Sequence, residues 1–77
     1  MWIKCGPHRL ISAHPARLDA ITLRPITHSD SFALYFKGQE EQMVNVGEDL
    51  DRAEALLARV AEALGEEKGF LDLSAEL

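Results

Sequence analysis

The feature that most constrains this chain is a change of period at Gly47. Before it, apolar residues recur at every second position; after it, at every third or fourth. A chain so divided builds strands first and a helix second, and 77 residues leave room for one core only. The expectation is a single α+β domain over 1–77: a small antiparallel β-meander of four to five strands, packed by one C-terminal α-helix. Strands fall at about 2–46, the helix at about 50–64, and an apolar tail at 70–77.

Trp2 to Cys5 is short and rich in strand formers, and Gly6-Pro7 ends it with a turn. Arg9 to Ser12 returns as a second short strand, which His14-Pro15 interrupts because proline offers no N–H to a ladder. From Ala20 the alternation is plain, with Ile21 and Leu23 on one side and Thr22 and Arg24 on the other, up to Pro25. A polar connector over Thr27 to Ser31 leads to a strand whose Phe32, Leu34 and Phe36 share one face. The other face carries Ala33, Tyr35 and Lys37, and a single helix leaves it uncovered. Gly38-Gln39-Glu40 then turns the chain into Glu41 to Val46.

Past Gly47, Leu50, Ala53, Leu57, Val60, Ala61 and Leu64 lay one apolar stripe along a helix. Leu57 and Val60 are expected against the sheet. Asp49 is the expected N-cap, and Gly65 is expected in the left-handed position just beyond the last turn. Glu48 is within reach of Arg52, while Glu54, Arg59 and Glu62 fall on the outer face. Phe70, Leu71 and Leu73 follow Gly69 as a final apolar patch, read as a short strand or a docked tail.

Composition narrows the function classes. A net charge of −5 repels phosphate backbones, so direct nucleic-acid binding is not expected. Cys5 is the one cysteine, which excludes an internal disulfide and fits a reducing, cytoplasmic location. Lys4, Gly6, Pro7, His8 and Arg9 interrupt the opening where a secretory leader would be apolar, and no run is long enough to span a membrane.

For metal chemistry the candidate ligands are Cys5, His8, His14 and His28, a thiolate and three imidazoles of the types zinc takes. Cys-x-x-His is half a site without a second paired motif, so the reading is a half-buried thiol and three loop histidines. No metal and no other cofactor is therefore expected. No nucleophile, base and orienting group are arranged for catalysis, and the glycines are scattered rather than gathered into a phosphate loop. The expectation is a protein that is not an enzyme.

The order of features resembles a set of tiny uncharacterised bacterial and phage proteins that open on Met-Trp-Ile and a basic residue. Met1-Trp2-Ile3-Lys4, Gly6, Arg9-Leu10-Ile11, Ile21, Phe32 to Phe36, Glu40-Glu41 and Asp49 to Leu64 carry the likeness, over roughly residues 1 to 65. His14-Pro15 departs from it, where such chains continue a strand with Asn or Asp. The resemblance implies a small sheet capped by one C-terminal helix and no activity. The leading functional expectation is a small non-enzymatic protein-interaction domain, using Trp2, Tyr35, Phe70 and Leu71 toward an unidentified protein partner, and itself a homodimer. Two alternatives stand beside it: an acidic inhibitor or nucleic-acid mimic built on Glu40-Glu41, Glu48-Asp49-Asp51 and Glu66-Glu67, and a small zinc-binding module.

Overall fold

A computed structural model describes residues 1–77. Six strands, β1 (Trp2–Lys4), β2 (Leu10–Ser12), β3 (Leu18–Pro25), β4 (Phe32–Gly38), β5 (Gln42–Gly47) and β6 (Phe70–Asp72), accompany one helix, α1 (Leu50–Gly65). The α+β class and the meander under one C-terminal helix are as expected from the sequence. The strands form two sheets rather than one, in the orders β3-β4-β5 and β2-β1-β6.

The longer sheet is the expected meander, with Ile21 opposite Phe36 and Leu23 opposite Leu34, itself opposite Val44. These side chains point at α1, as period-two alternation requires. Val46 faces inward with Val44 by the same alternation, an irregularity between Phe32 and Ala33 leaves it with no residue paired opposite, and Gly47 leaves β5 at φ 88, its N–H donating to Asn45 Oδ1 at 2.8 Å. Gly38 meets a different demand. The Arg17 backbone crosses so close that any Cβ at Gly38 would collide with the Arg17 carbonyl.

The second sheet is where the structure departs from a single meander. β1 pairs antiparallel with β2, and the tail supplies β6 as a parallel partner on the other edge of β1. Trp2 N–H donates to Gly69 O and Leu73 N–H to Lys4 O, each at 2.9 Å, so β1 is bonded on both sides. Leu73 is fully buried behind it, a burial worth about 2 kcal/mol on its own. The tail thus neither hangs free nor folds over the open face of the meander. Its Phe70–Asp72 strand is long-range pairing that local patterning cannot register.

Asp49 caps α1 as expected, accepting from Arg52 N–H at 3.2 Å. Ala53, Leu56, Val60 and Ala63 are the buried positions, while Leu57 is half-buried and Leu50 and Ala61 are exposed. Leu57 was expected in the core, yet two adjacent apolar columns share Ala53 and Val60, and packing against β4 and β5 selects the one through Leu56. The helix end is also corrected. Gly65 is still helical, and the left-handed residue is Glu67 at φ 57. Lys68 N–H reaches Ala63 O at 3.0 Å and Glu67 N–H reaches Leu64 O at 3.2 Å, a Schellman pair two residues later than the glycine suggested. Glu48 and Arg52 do not pair; the two ion pairs are Arg59–Glu76, which ties α1 to the 3₁₀ turn Ser74–Glu76, and Lys68–Glu66 at 3.3 Å.

One core joins all these parts. Ile3 and Ile11 from the short sheet, Leu34, Phe36, Val44 and Val46 from the meander, and Leu56 and Val60 from the helix belong to a single cluster. No helix is long and apolar enough to cross a membrane.

Candidate functional site

The register of the short sheet decides what it shows to its surroundings. Ile3, opposite Ile11 and Leu71, faces the core, so the residues on either side of each face outward. One outward row is Ser12, Trp2 and Phe70; the next is Leu10, Lys4 and Asp72. Trp2 and Phe70 are neighbours on strands about 4.8 Å apart, and each is 54 % exposed. Leu10, 56 % exposed, is on the same face in the next row, opposite Lys4 and diagonal to Trp2. Large apolar side chains this open, gathered on one face, differ from the single exposed hydrophobics that every surface carries.

Two of the four expected contact residues are therefore adjacent. Leu71 is on the inner side of the same strand, half-buried against the core. Tyr35 lies on the other sheet, also half-buried, with the Arg24 guanidinium carbon 4.2 Å from its ring centroid. Around Tyr35 the open face of the meander is more polar and more covered than alternation alone suggests. Thr22 and Met43 flank it, Ala33 is fully buried beside Arg24 and Asn45, and Thr22 Oγ1 is shut from solvent without a hydrogen-bond partner. Ala33 was expected outside, but a methyl group between two longer cross-strand neighbours is covered by them. Leu10 is the exposed apolar residue of this face that sequence reasoning missed. Its outward position depends on which of Leu10 and Ile11 the β1–β2 register turns inward.

A shallow cleft continues the face past Leu10 and Phe70 and is lined by Lys4, His8 and Arg9. Neither Lys4 nor Arg9 is in an ion pair with a carboxylate of the chain. Asp72, the one acid on the face, is held by Ser74. The Ser74 hydroxyl and backbone N–H both donate to its Oδ1, and these bonds, with smaller help from Lys4 and Arg59, keep its carboxyl below the usual range.

The candidate metal ligands are not brought together. Cys5 and His8 belong to the turn between β1 and β2, His14 accepts from Ala16 N–H through Nδ1 at 3.1 Å, and His28 sits at φ 61 in the turn that Ser29 N–H closes on Ile26 O at 3.1 Å. Three or more His, Cys, Asp or Glu side chains are nowhere close enough to hold one ion. Burial pushes the Cys5 thiol up, against a weaker opposing pull from Arg9, which disfavours the thiolate that a nucleophile or ligand requires.

Comparison with known proteins finds no match to a family model, a curated protein or a solved structure.

Proposed function

We propose that the protein is a small non-enzymatic protein-interaction domain whose contact surface is the outer face of the β2-β1-β6 sheet. The observation that carries this reading is the juxtaposition of Trp2 and Phe70 across the β1/β6 ladder, both on the solvent side and both more than half exposed. Aromatic side chains provide large contact area at small entropic cost, which is why interface centres are enriched in them. Most of the chain's apolar surface lies elsewhere, in one core, so exposure here is not a shortage of interior.

The distribution of acids favours this reading over an acidic mimic. Glu48, Asp49 and Asp51 stand at one end of α1, Glu54 and Glu62 along it, and Glu66 and Glu67 at the other end, about 24 Å away for sixteen residues. Arg52, Arg59 and Lys68 are interspersed among them, two of the three in ion pairs. A mimic of a nucleic-acid backbone would instead present one continuous acidic face.

Site-specific photo-crosslinking in the native cell tests the surface. A benzophenone side chain at position 70 is expected to capture a protein that the same group at position 37, on the meander, does not. Equal capture at both positions, or none at position 70, overturns the assignment.

The reading includes self-association through a second surface. β3 is an eight-residue edge strand with no partner on its outer side, and its inward Ile21 and Leu23 are only half-buried. A second β3 laid antiparallel would satisfy that edge and extend the core, the commonest symmetric solution for an exposed strand. Sedimentation equilibrium is expected to return twice the 8.6 kDa chain mass. One chain mass at every concentration overturns the dimer and leaves the aromatic face standing.

A further inference from the structure

We infer that the partner of the Trp2–Phe70 face is an acidic peptide segment, whose apolar side chains lie on Trp2, Leu10 and Phe70 while its carboxylates meet Lys4 and Arg9. This rests on the interaction reading above and adds the chemistry of the occupant. Charge selects the occupant. The chain carries 13 acidic and 8 basic residues, so most of its surface repels an anion. The aromatic face inverts that balance: Lys4 and Arg9 line the cleft beside Phe70 against a single carboxylate in the same rows, Asp72, which stays charged and hydrogen-bonded to Ser74. Lys4 is opposite Asp72 in the ladder and feels its charge without forming an ion pair, while Arg9 is in no ion pair with a carboxylate of the chain, so the cleft keeps an excess of positive charge.

An acidic segment is thus repelled from the helix ends and attracted to this face. Charge at the rim then steers association and sets register, while desolvation of the aromatic pair supplies the affinity. A basic segment would experience the reverse, drawn to α1 and rejected here. Single-stranded nucleic acid shares the negative charge and the taste for aromatic platforms, but a run of phosphates longer than this short cleft would extend over the acidic remainder of the surface.

Trp2 is the one tryptophan, so its emission reads occupancy directly. The probes are a ten-residue peptide alternating phenylalanine and glutamate, the same peptide with lysine for glutamate, and a decathymidylate strand, each titrated into the full chain. The glutamate peptide is expected to shift Trp2 emission saturably, with affinity falling as salt rises. The lysine peptide is expected to leave it unchanged. Arg9→Glu should weaken the glutamate peptide by about tenfold, because reversal removes an attraction and adds a repulsion. The salt series on the unaltered protein gives the same answer independently of whether that variant folds. Equal binding of both peptides, or binding that ignores salt, overturns the charge argument. Binding of decathymidylate alone overturns the peptide in favour of nucleic acid. If crosslinking at position 70 succeeds and neither peptide binds, the acidic chemistry fails while the interaction surface survives.

Discussion

Single residues here occupy positions that their types do not favour, and the consequences are measurable. Glu67 holds the left-handed position that closes α1, a conformation costly for any side chain with a Cβ, whereas Gly65 spends glycine's freedom inside the helix. Glu67→Gly is expected to stabilise the fold by about 1 kcal/mol, and Gly65→Ala by a similar amount, about 0.5–1 kcal/mol. Nothing obstructs the second change, because a Cβ at Gly65 meets no atom within 4 Å. Urea melts of both variants check the pair; destabilisation by either shows that the helix does not end as described. Asp72 gives a pH dependence. Its carboxyl is held low in the folded state by Ser74, so the stabilisation is complete above the unfolded value of about 4 and is lost as pH falls through the folded one. Asp72→Asn should therefore reduce the drop in melting temperature between neutral and acid pH. An unchanged drop would mean that the Ser74 bonds do not persist in solution.

At the scale of elements, the helix shows how far a periodic pattern reaches. Spacings of three and four establish that residues from Leu50 onward form an amphipathic helix, and Asp49 fixes its start. They leave open which of two neighbouring apolar columns is pressed into the sheet. Leu56 is nearly inaccessible and Leu57 is half-buried, so Leu56→Ala is expected to cost about 2–5 kcal/mol and Leu57→Ala clearly less. Equal losses in thermal or urea melts would contradict that orientation. Strands behave likewise. The alternation in β3 and β4 is long enough to fix both faces, whereas β1, β2 and β6 have three residues each, too few for a period to declare itself. The outward position of Leu10 follows from pairing with β1, not from its own neighbours.

For the whole molecule, the docked tail is the decisive feature. β6 bonds to β1, Leu73 fills the core, and Arg59 reaches Glu76, so the two ends of the chain meet at one sheet. Ending the chain before Phe70 should leave β1 with one unbonded edge and a cavity where Leu73 was. We expect such a truncation to unfold cooperatively at much lower temperature, or to fail to fold, and circular dichroism with thermal melting would show it. A melt like that of the full chain would make the tail an appendage. The sequence by itself determined the α+β class, the three longer strands of the meander and the Asp49 cap. These depend on contacts between near neighbours, which leave a period or a cap in the string. Only the tertiary structure decided that the tail completes a second sheet, that Trp2 and Phe70, far apart in sequence, form one surface, and that the open face of the meander is screened by Arg24 over Tyr35. Those outcomes turn on the pairing of distant segments, for which many registers satisfy the local pattern equally and burial of one shared core selects a single one.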